Sequence, residues 1–293
     1  MTRAGIVAVV GKPNAGKSTL LNRLVGEKLS ITSEKPQSTR DRIVGILTKD
    51  DVQMILLDTP GLLEPRYALQ RSMRAASLQA LDDADVIVHL ADARDGAPGP
   101  LRQAAELERD PRAPILVVLN KIDALKATAR DAVQRDAPAA ILVSALTGEG
   151  IDELTRAITP HLPESPFLYP DDEIGTQSLR FFASELVRET ALEQLEDEVP
   201  YSVACAIEEF REDRSPVYIR AIIYVERESQ KGILVGHGGA RIRELGRASR
   251  AKIERLVGSP VFLDLWVKVL PNWRRNAQAL RRLGYALPEE RRR

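Results

Sequence analysis

Two glycines, a lysine and a serine near the start of the chain have the spacing of a phosphate-binding loop. Residues 11–18 read Gly-Lys-Pro-Asn-Ala-Gly-Lys-Ser, which fits the pattern G-x-x-x-x-G-K-[ST]. In such a loop, backbone N–H groups surround a phosphate chain, the lysine contacts the outer phosphates, and the hydroxyl binds Mg²⁺. The residues that we expect to bind nucleotide here are Gly11, Lys12, Pro13, Asn14, Ala15, Gly16, Lys17, Ser18 and Thr19.

A second candidate lies downstream, where an apolar run ends in Asp58-Thr59-Pro60-Gly61. An aspartate at the end of a strand can hold the shell of a Mg²⁺ ion, and Gly61 allows a backbone N–H to approach a γ-phosphate closely. Taken alone, these four residues are typical of an ordinary turn after a strand. Because they follow a phosphate-binding loop, we interpret them as part of the same site.

Two further segments predict selection of a guanine base. In Asn120-Lys121-Ile122-Asp123, the Asp123 carboxylate can accept hydrogen bonds from N1–H and the 2-amino group of guanine, which adenine lacks. Sites built on such bonds discriminate by roughly 10⁴–10⁵-fold. We expect Asn120 to tie this segment to the phosphate-binding loop and the stem of Lys121 to lie along the base. Ser144 and Ala145 follow a later apolar run, and we expect the Ala145 N–H to donate to the guanine O6.

The elements that must position these residues form an alternating pattern. Apolar runs without internal polar residues are typical of buried parallel strands, and stretches long enough for crossover helices separate them. The first 163 residues therefore predict an α/β P-loop GTPase domain with a mostly parallel sheet and helices on both faces. The predicted strands cover residues 5–10, 42–48, 52–58, 84–91, 114–119 and 139–143, and a last helix covers residues 150–161.

The remainder of the chain predicts a second, α+β domain. A segment rich in proline and acidic residues, 161–177, is typical of a linker. The helices and strands predicted after it follow the order α-β-β-α-α-β of a type II KH domain, with a G-x-x-G loop at 236–239 between adjacent helices. Such a loop clamps a single-stranded RNA backbone. The expected RNA-binding residues are Gly236, His237, Gly238, Gly239, Arg241, Arg243, Lys252, Arg274 and Arg275.

Composition narrows the class of protein further. The 293 residues, with 44% hydrophobic and 29% charged residues, fit two globular domains, and no apolar run approaches the length of a membrane span. One cysteine excludes a disulfide framework or a Cys-based zinc site. The last 93 residues carry 19 basic and 11 acidic side chains, which favours a polyanionic partner. We expect Trp266 to lie in the core, whereas Trp273 fits the core and a base platform equally well.

Together the motifs resemble those of the Era family of bacterial ribosome-biogenesis GTPases, and the resemblance covers essentially the whole chain. It is carried by GKPNAGKST, ITSEKPQSTRDRIVGI, DTPG, NKID, VSA, GHGGARIRELG and LDLWVKV. It implies a GTPase domain at 1–163, a linker at 164–177 and a KH domain with a C-terminal extension at 178–293. It also implies binding to the 3′ end of 16S ribosomal RNA, a role in 30S assembly and rRNA maturation, and a cytoplasmic location with membrane contact in some members. Nothing in the sequence requires a dimer, so we expect a monomer.

The resemblance also assigns roles to residues. Thr39 corresponds to the switch threonine that reaches Mg²⁺, with Ser18 and Asp58 as the other metal ligands. Lys17, Thr39 and Gly61 form the catalytic set, and Asn14 matches the asparagine with which related GTPases hold K⁺. Leu62 occupies the position of the water-orienting glutamine of Ras-type enzymes, which implies slow intrinsic hydrolysis. The resemblance also implies that K⁺ and RNA stimulate this hydrolysis.

Other classes fit the sequence less well. A tandem GTPase needs a second phosphate-binding loop, and a tRNA-modifying relative needs a C-terminal cysteine, whereas the only cysteine here is Cys205. A membrane-remodelling GTPase needs an apolar segment that the sequence lacks. An RNA-binding scaffold with an inactive GTPase domain stays open as an alternative, although the intact Lys17, Asp58 and Asp123 argue against it.

Overall fold

The computed structural model of the chain describes residues 1–288, which fall into two compact units. The first unit contains Met1–Pro65 and Met73–Thr176. The second contains Arg66–Ser72 and the described residues from Gln177 onward. The end of the expected C-terminal extension, residues 289–293, lies outside the described residues.

Six strands form one sheet in the first unit: β1 (Arg3–Val10), β2 (Ile43–Lys49), β3 (Val52–Asp58), β4 (Val86–Asp92), β5 (Ile115–Asn120) and β6 (Ile141–Leu142). Their order is β2-β3-β1-β4-β5-β6, and only β2 is antiparallel to its neighbour. Val7 and Val10 are fully buried, as the unbroken apolar runs predict. The predicted mostly parallel α/β sheet is confirmed.

Five helices occur between residues 1 and 176, and the first five residues of α2 belong to the second unit: α1 (Lys17–Val25), α2 (Ala68–Asp83), α3 (Leu101–Ala104), α4 (Ala127–Asp136) and α5 (Ile151–Ile158). The regular part of the last helix is shorter than predicted, because a 3₁₀ turn that contains Pro160 replaces its end at Thr159–His161. The four strands β1, β3, β4 and β5 are mutually parallel. Their carboxyl ends therefore lie at one edge of the sheet, where open α/β sheets bind ligands.

Part of the predicted linker is ordered along the first unit. The fully buried side chain of Gln53 accepts a hydrogen bond from the Tyr169 N–H and donates one to the Tyr169 carbonyl, at 3.0 and 2.9 Å. Farther along, the Ile46 N–H donates to the Ile174 carbonyl at 2.9 Å. This part of the linker is therefore held in place by hydrogen bonds from the backbone of β2 and from the Gln53 side chain of β3.

Up to residue 288, the second unit contains five helices and three strands after its start at Gln177. Its sheet has the order β7-β8-β9, with β7 antiparallel and β9 parallel to the central strand. This is the predicted α-β-β-α-α-β arrangement, with short helices added before and after its sheet. The elements are α6 (Leu179–Gln194), α7 (Val199–Ser202), β7 (Ala204–Arg211), β8 (Val217–Val225), α8 (Glu228–Val235), α9 (Ala240–Val257), β9 (Val261–Val269) and α10 (Ala277–Arg282).

The start of the first helix in this unit follows the prediction, but its end does not. The Ser178 side chain accepts a hydrogen bond from the Phe181 N–H at 3.3 Å, as expected of an N-cap. The apolar spacing of residues 178–198 predicts one helix that has Ser178 as its N-cap and stops before Pro200. Instead α6 ends at Gln194, and Pro200 lies in the first turn of α7, where its missing N–H costs nothing.

The two tryptophans lie in opposite environments. Ile219 and Ile223 of β8 pack with α6 and α9 on one face of the sheet. Because side chains alternate along a strand, Trp266 lies on the opposite face, where 54% of it is exposed. The prediction that Trp266 belongs to the core is therefore wrong. Trp273 is fully buried and donates its ring N–H to the Ser202 carbonyl at 2.8 Å.

None of the helices within residues 1–288 is long and apolar enough to cross a membrane.

Candidate functional site

The loop between β1 and α1 is shaped by glycines. Gly16 has a φ of 95°, a left-handed conformation that favours glycine, and a Cβ there would lie 2.2 Å from Nδ2 of Asn120. A Cβ at Gly11 would lie 2.1 Å from the Leu90 carbonyl oxygen. Side chains are thus excluded at both ends of the loop, which approach Leu90 of β4 and Asn120 of β5 closely. The first N–H groups of α1 lie at its C-terminal end, where an anion is favoured.

Lys17 lies buried beneath this loop. Its Nζ donates hydrogen bonds to the carbonyl oxygens of Lys12 and Gly11, at 2.9 and 3.3 Å. Burial lowers the pKa of the Lys17 amine to about 8, against the opposing attraction of Asp58. The amine is therefore held next to the loop in a position suited to a phosphate anion. The negative charge of a phosphate would favour the protonated amine, which burial disfavours.

The three predicted metal ligands lie together. The Ser18 hydroxyl donates to Oδ2 of Asp58 at 2.7 Å and lies 2.9 Å from the Thr39 hydroxyl. Asp58 is fully buried, its Oδ1 has no hydrogen-bond partner among the described residues, and burial raises its pKa. A buried carboxylate oxygen without a partner, beside two hydroxyls, is a set of hard oxygen donors that suits Mg²⁺. The residues present therefore fit the metal that the motif implies.

The turn after β3 folds against the phosphate-binding loop. A Cβ at Gly61 would lie 2.6 Å from the Pro13 nitrogen, so only glycine allows this approach. The Leu62 N–H donates to the Gly11 carbonyl at 3.0 Å, and its side chain packs against the apolar core. Thr59 donates its hydroxyl to the Val9 carbonyl at 2.8 Å, which fixes the start of the turn.

The Asn14 side chain lies on the other side of the phosphate-binding loop. It donates to the Glu34 carbonyl at 2.8 Å, which connects the loop with the segment that leads to Thr39. The residue itself has a φ of 63°, a left-handed conformation in which asparagine is enriched. The side chain predicted to hold K⁺ is therefore bonded to the backbone of the segment that contains the switch threonine.

Asn120 joins three segments at this edge, whereas we predicted only its bond to the phosphate-binding loop. Its Nδ2 donates to the Ala15 carbonyl at 2.8 Å, and its Oδ1 accepts from the Ala145 N–H at 2.9 Å. The second bond differs from our expectation, because the Ala145 N–H is directed at a side chain of the protein rather than left for a base. The reason is geometric, since Asn120 is buried between the two loops and its carbonyl needs a donor.

Asp123 and Lys121 lie at the predicted base site. The Ser144 hydroxyl donates to Oδ1 of Asp123 at 2.5 Å, and the carboxylate is otherwise exposed. An exposed carboxylate at this position is open to the hydrogen-bond donors of a base. The Lys121 amine donates to the Asn14 carbonyl at 2.6 Å, so its stem bridges from β5 to the phosphate-binding loop.

Two further residues at this edge, Arg23 and Asp92, were not predicted from the motifs. Arg23 of α1 donates from Nε to the Ala145 carbonyl at 3.1 Å and from its guanidinium to Leu146, which braces the loop after β6. Asp92, the last residue of β4, lies 3.0 Å from the Lys121 amine. Only Asp92 had a signal in the sequence: a charged residue at the end of an apolar strand.

The loop at 236–239 joins α8 to α9. Gly238 and Gly239 have φ values of 56° and 75°, and a Cβ at Gly238 would meet nothing within 4 Å. The Arg243 guanidinium donates to the Gly238 carbonyl at 2.8 Å, and that of Arg241 donates to the Ile233 carbonyl at 3.2 Å. The loop is therefore open at Gly238, and two exposed arginines donate to carbonyl groups in the loop and just before it.

The other predicted RNA-binding cations differ in their surroundings. The Lys252 amine is bonded to Glu189 at 2.9 Å and to Glu193 at 2.7 Å. The Arg274 guanidinium is bonded to Glu226 at 2.5 Å, and its side chain is 24% exposed. Both charges are already neutralised by carboxylates, whereas Arg275 is exposed. The geometry thus favours structural roles for Lys252 and Arg274.

Comparisons with known proteins agree with this division of the chain. A family model described as a 50S ribosome-binding GTPase matches residues 6–121, and a KH-domain model matches residues 198–274. The GTPase Era of Carboxydothermus hydrogenoformans is 41% identical over 97% of this chain and 98% of its own length. The GTPase Era of Marinobacter nauticus is 44% identical over 97% of this chain and 95% of its own.

Two solved structures are similar along their whole length. One is Era in complex with MgGDPNP and nucleotides 1506–1542 of 16S ribosomal RNA, with a TM-score of 0.90, 39% identity, and coverage of 98% of this chain and 100% of that one. The other is a single-residue variant of Aquifex aeolicus Era bound to GDP.AlF4⁻, with a TM-score of 0.89, 40% identity and the same coverage.

Proposed function

Because the chain belongs to the Era family of GTPases, we propose that it is a GTP-hydrolysing switch that assists 30S ribosomal subunit assembly and rRNA maturation. In this role it binds the 3′ end of 16S ribosomal RNA through its KH domain. The observation that carries the proposal is the similarity, over 98% of the chain, to an Era structure that holds both a magnesium nucleotide and nucleotides 1506–1542 of that RNA. The clustered polar residues of the first unit and the open G-x-x-G loop of the second support it independently.

In the proposed site, Lys17 contacts the outer phosphates while the backbone of residues 11–16 surrounds them. Ser18, Thr39 and Asp58 hold Mg²⁺, which neutralises charge on the β- and γ-phosphate oxygens. The unpartnered Oδ1 of Asp58 supports this assignment. Gly61 brings its N–H toward the γ-phosphate, since the turn already packs against Pro13.

Hydrolysis in this site is slow on its own. Leu62 has no group that can orient a water molecule, and its side chain packs against the core. Asn14 is the residue that we assign to K⁺, beside the phosphates and next to the backbone of Glu34. We therefore propose that K⁺ and RNA both accelerate the reaction.

The guanine base lies between the segments that Asn120 joins. Asp123 accepts the N1 and 2-amino hydrogens, and Ser144 holds the carboxylate in place at 2.5 Å. The Lys121 stem lies along the base. For Ala145, we propose a shared N–H, which donates to Asn120 and to the guanine O6.

The RNA backbone lies across the loop formed by Gly236, His237, Gly238 and Gly239. Arg241, Arg243 and Arg275 are the cations that we assign to its phosphates, because their charges are not neutralised by carboxylates in the hydrogen bonds described above. Lys252 and Arg274 contribute to the fold of the unit. We place the domains at 1–163, 164–177 and 178–293, and we propose a monomer that resides in the cytoplasm with peripheral contact to the inner membrane.

The proposal is tested by GTP hydrolysis in K⁺ or Na⁺, each with and without a single-stranded RNA that matches the 3′ end of 16S ribosomal RNA. We expect the RNA to bind and to stimulate hydrolysis, and we expect Gly238→Asp to lose both effects because it adds a negative charge where the phosphates lie. Gly258→Asp is the matched control, since Gly258 also has a positive φ and open space but ends the same helix on its far side. RNA that neither binds nor stimulates would overturn the proposed role.

A further inference from the structure

Asp92 lies beside the base site although no nucleotide-binding motif contains it. It is the last residue of β4, and the parallel register pairs it with Asn120, the last residue of β5. Its carboxylate therefore projects from the same edge of the sheet as residues 120–123. Its side chain is only 11% exposed, which is unusual for a charged residue without a structural or functional partner.

The partner is the amine of Lys121. Oδ2 of Asp92 lies 3.0 Å from the Lys121 Nζ, which also donates to the Asn14 carbonyl at 2.6 Å. One amine thus connects the end of β4 with the phosphate-binding loop, and these two contacts fix the far end of the lysine stem. The backbone of Lys121 has a φ of 67°, a left-handed conformation that a lysine adopts only where its surroundings impose it.

Asp92 is itself held in place by Arg94. Nε and Nη2 of Arg94 donate to the two carboxylate oxygens at 2.9 and 2.6 Å, and the Arg94 backbone N–H adds a third bond at 3.0 Å. The same arginine holds the pKa of Asp92 well below its usual range, so the carboxylate is ionised at neutral pH. Such bidentate pairs fix the orientation of both groups.

We propose that Asp92 is a positioning residue for the guanine nucleotide, which fixes the stem of Lys121 as one wall of the base site. The proposal rests on the role assigned to Lys121 above. A lysine stem makes apolar contact with the flat face of any purine, whereas Asp123 reads the hydrogen-bonding edge. Loss of Asp92 therefore weakens binding without changing which base is preferred.

A double-mutant cycle tests this inference, with GDP, GTP analogue and inosine nucleotide affinities measured by titration calorimetry. We expect Asp92→Ala and Lys121→Ala each to weaken GDP binding about tenfold, and the double variant to bind as weakly as Lys121→Ala alone. The ratio of guanosine to inosine nucleotide affinities stays unchanged. Asp95→Ala, an exposed aspartate three residues further on, is the matched control and binds like the wild type.

Three results would overturn the inference: unchanged binding in Asp92→Ala, an equal further loss when Asp92→Ala is added to Lys121→Ala, or a changed base preference. Thermal unfolding of each variant accompanies the titrations, and Asp92→Asn, which keeps the shape and a hydrogen-bond acceptor, replaces Asp92→Ala if the latter fails to fold. Asp123→Ala separates this question from the proposed function. If Asp123→Ala binds GDP normally, the assignment of residues 120–123 to the base is wrong. If Asp123→Ala no longer binds GDP, that assignment holds, and the Asp92 results test the inference alone.

Discussion

The buried amine of Lys17 is the group that we expect to set the pH response of the proposed nucleotide site. Phosphate binding requires the charged ammonium form, and burial brings the pKa of this amine down to about 8. A depressed lysine pKa means that the charged form is lost from the folded protein as the pH rises through 8, well below the usual range for lysine. Above that pH, nucleotide binding must therefore be accompanied by the uptake of a proton by Lys17.

We accordingly predict that GDP affinity falls about fourfold between pH 7 and pH 8.5, with proton uptake on binding that grows over the same range. Titration calorimetry in buffers of different ionisation enthalpy measures both quantities. Lys12→Ala serves as the control, since Lys12 has an exposed side chain and contributes its backbone to the loop; its profile should match the wild type. A flat affinity profile with no proton uptake would contradict the prediction.

At the scale of elements, the strands were predictable because burial on both faces demands apolar residues at nearly every position. The carboxyl ends of these strands could likewise be placed from their motifs alone. The prediction that Trp266 lies in the core was wrong because alternation along a strand does not by itself tell which of the two faces is buried. Its two-residue spacing from Asp264 and from Lys268 does place it on the outer face.

Side chains that fix one loop to another were not predictable from motifs. Asn120 was expected to join the base segment to the phosphate-binding loop, but its second bond to Ala145 depends on the distance between two loops that no local pattern encodes. Asp92 shows the same limit, because its partner Lys121 is a neighbour only through the register of β4 and β5. Tertiary placement, not local propensity, decides these contacts.

The segment that follows the first unit's last helix shows how one buried side chain can hold a length of irregular backbone. Gln53 of β3 is fully buried, and its amide makes hydrogen bonds with Thr48 and with the backbone of Leu168 and Tyr169. We predict that Gln53→Leu lowers the free energy of unfolding by about 2–4 kcal/mol, because the backbone groups lose their partner without gaining water. Urea denaturation measures the loss, and limited proteolysis should show faster cleavage within residues 164–176.

Gln79→Leu provides the comparison for that experiment. Gln79 is exposed, and its amide donates to the neighbouring Asp83 at 2.8 Å. The same change of side chain there should alter stability by less than about 0.5 kcal/mol. If both variants lose equal stability, the hydrogen bonds of Gln53 do not hold the segment.

At the scale of the whole molecule, the proposed switch requires that two ligands influence each other. We propose that GTP and Mg²⁺ order residues 29–40 and 59–70, which contain Thr39 and Gly61. The second of these segments runs into Arg66–Ser72, which belongs to the second unit. Residues 66–70 are thus common to the proposed switch segment and to the second unit.

We predict that the RNA affinity of the GTP-analogue form differs from that of the GDP form by a factor of about 5–150, which corresponds to a coupling free energy of about 1–3 kcal/mol. Linkage demands that RNA change the ratio of GTP-analogue to GDP affinity by the same factor, so the two measurements check each other. Filter binding of the RNA at saturating nucleotide and nucleotide titration at saturating RNA provide them. The Gly238→Asp variant should retain both nucleotide affinities but lose their dependence on RNA. Equal RNA affinity in the two nucleotide forms would mean that the two units act independently, and the switch would then be wrong even if each unit binds its own ligand.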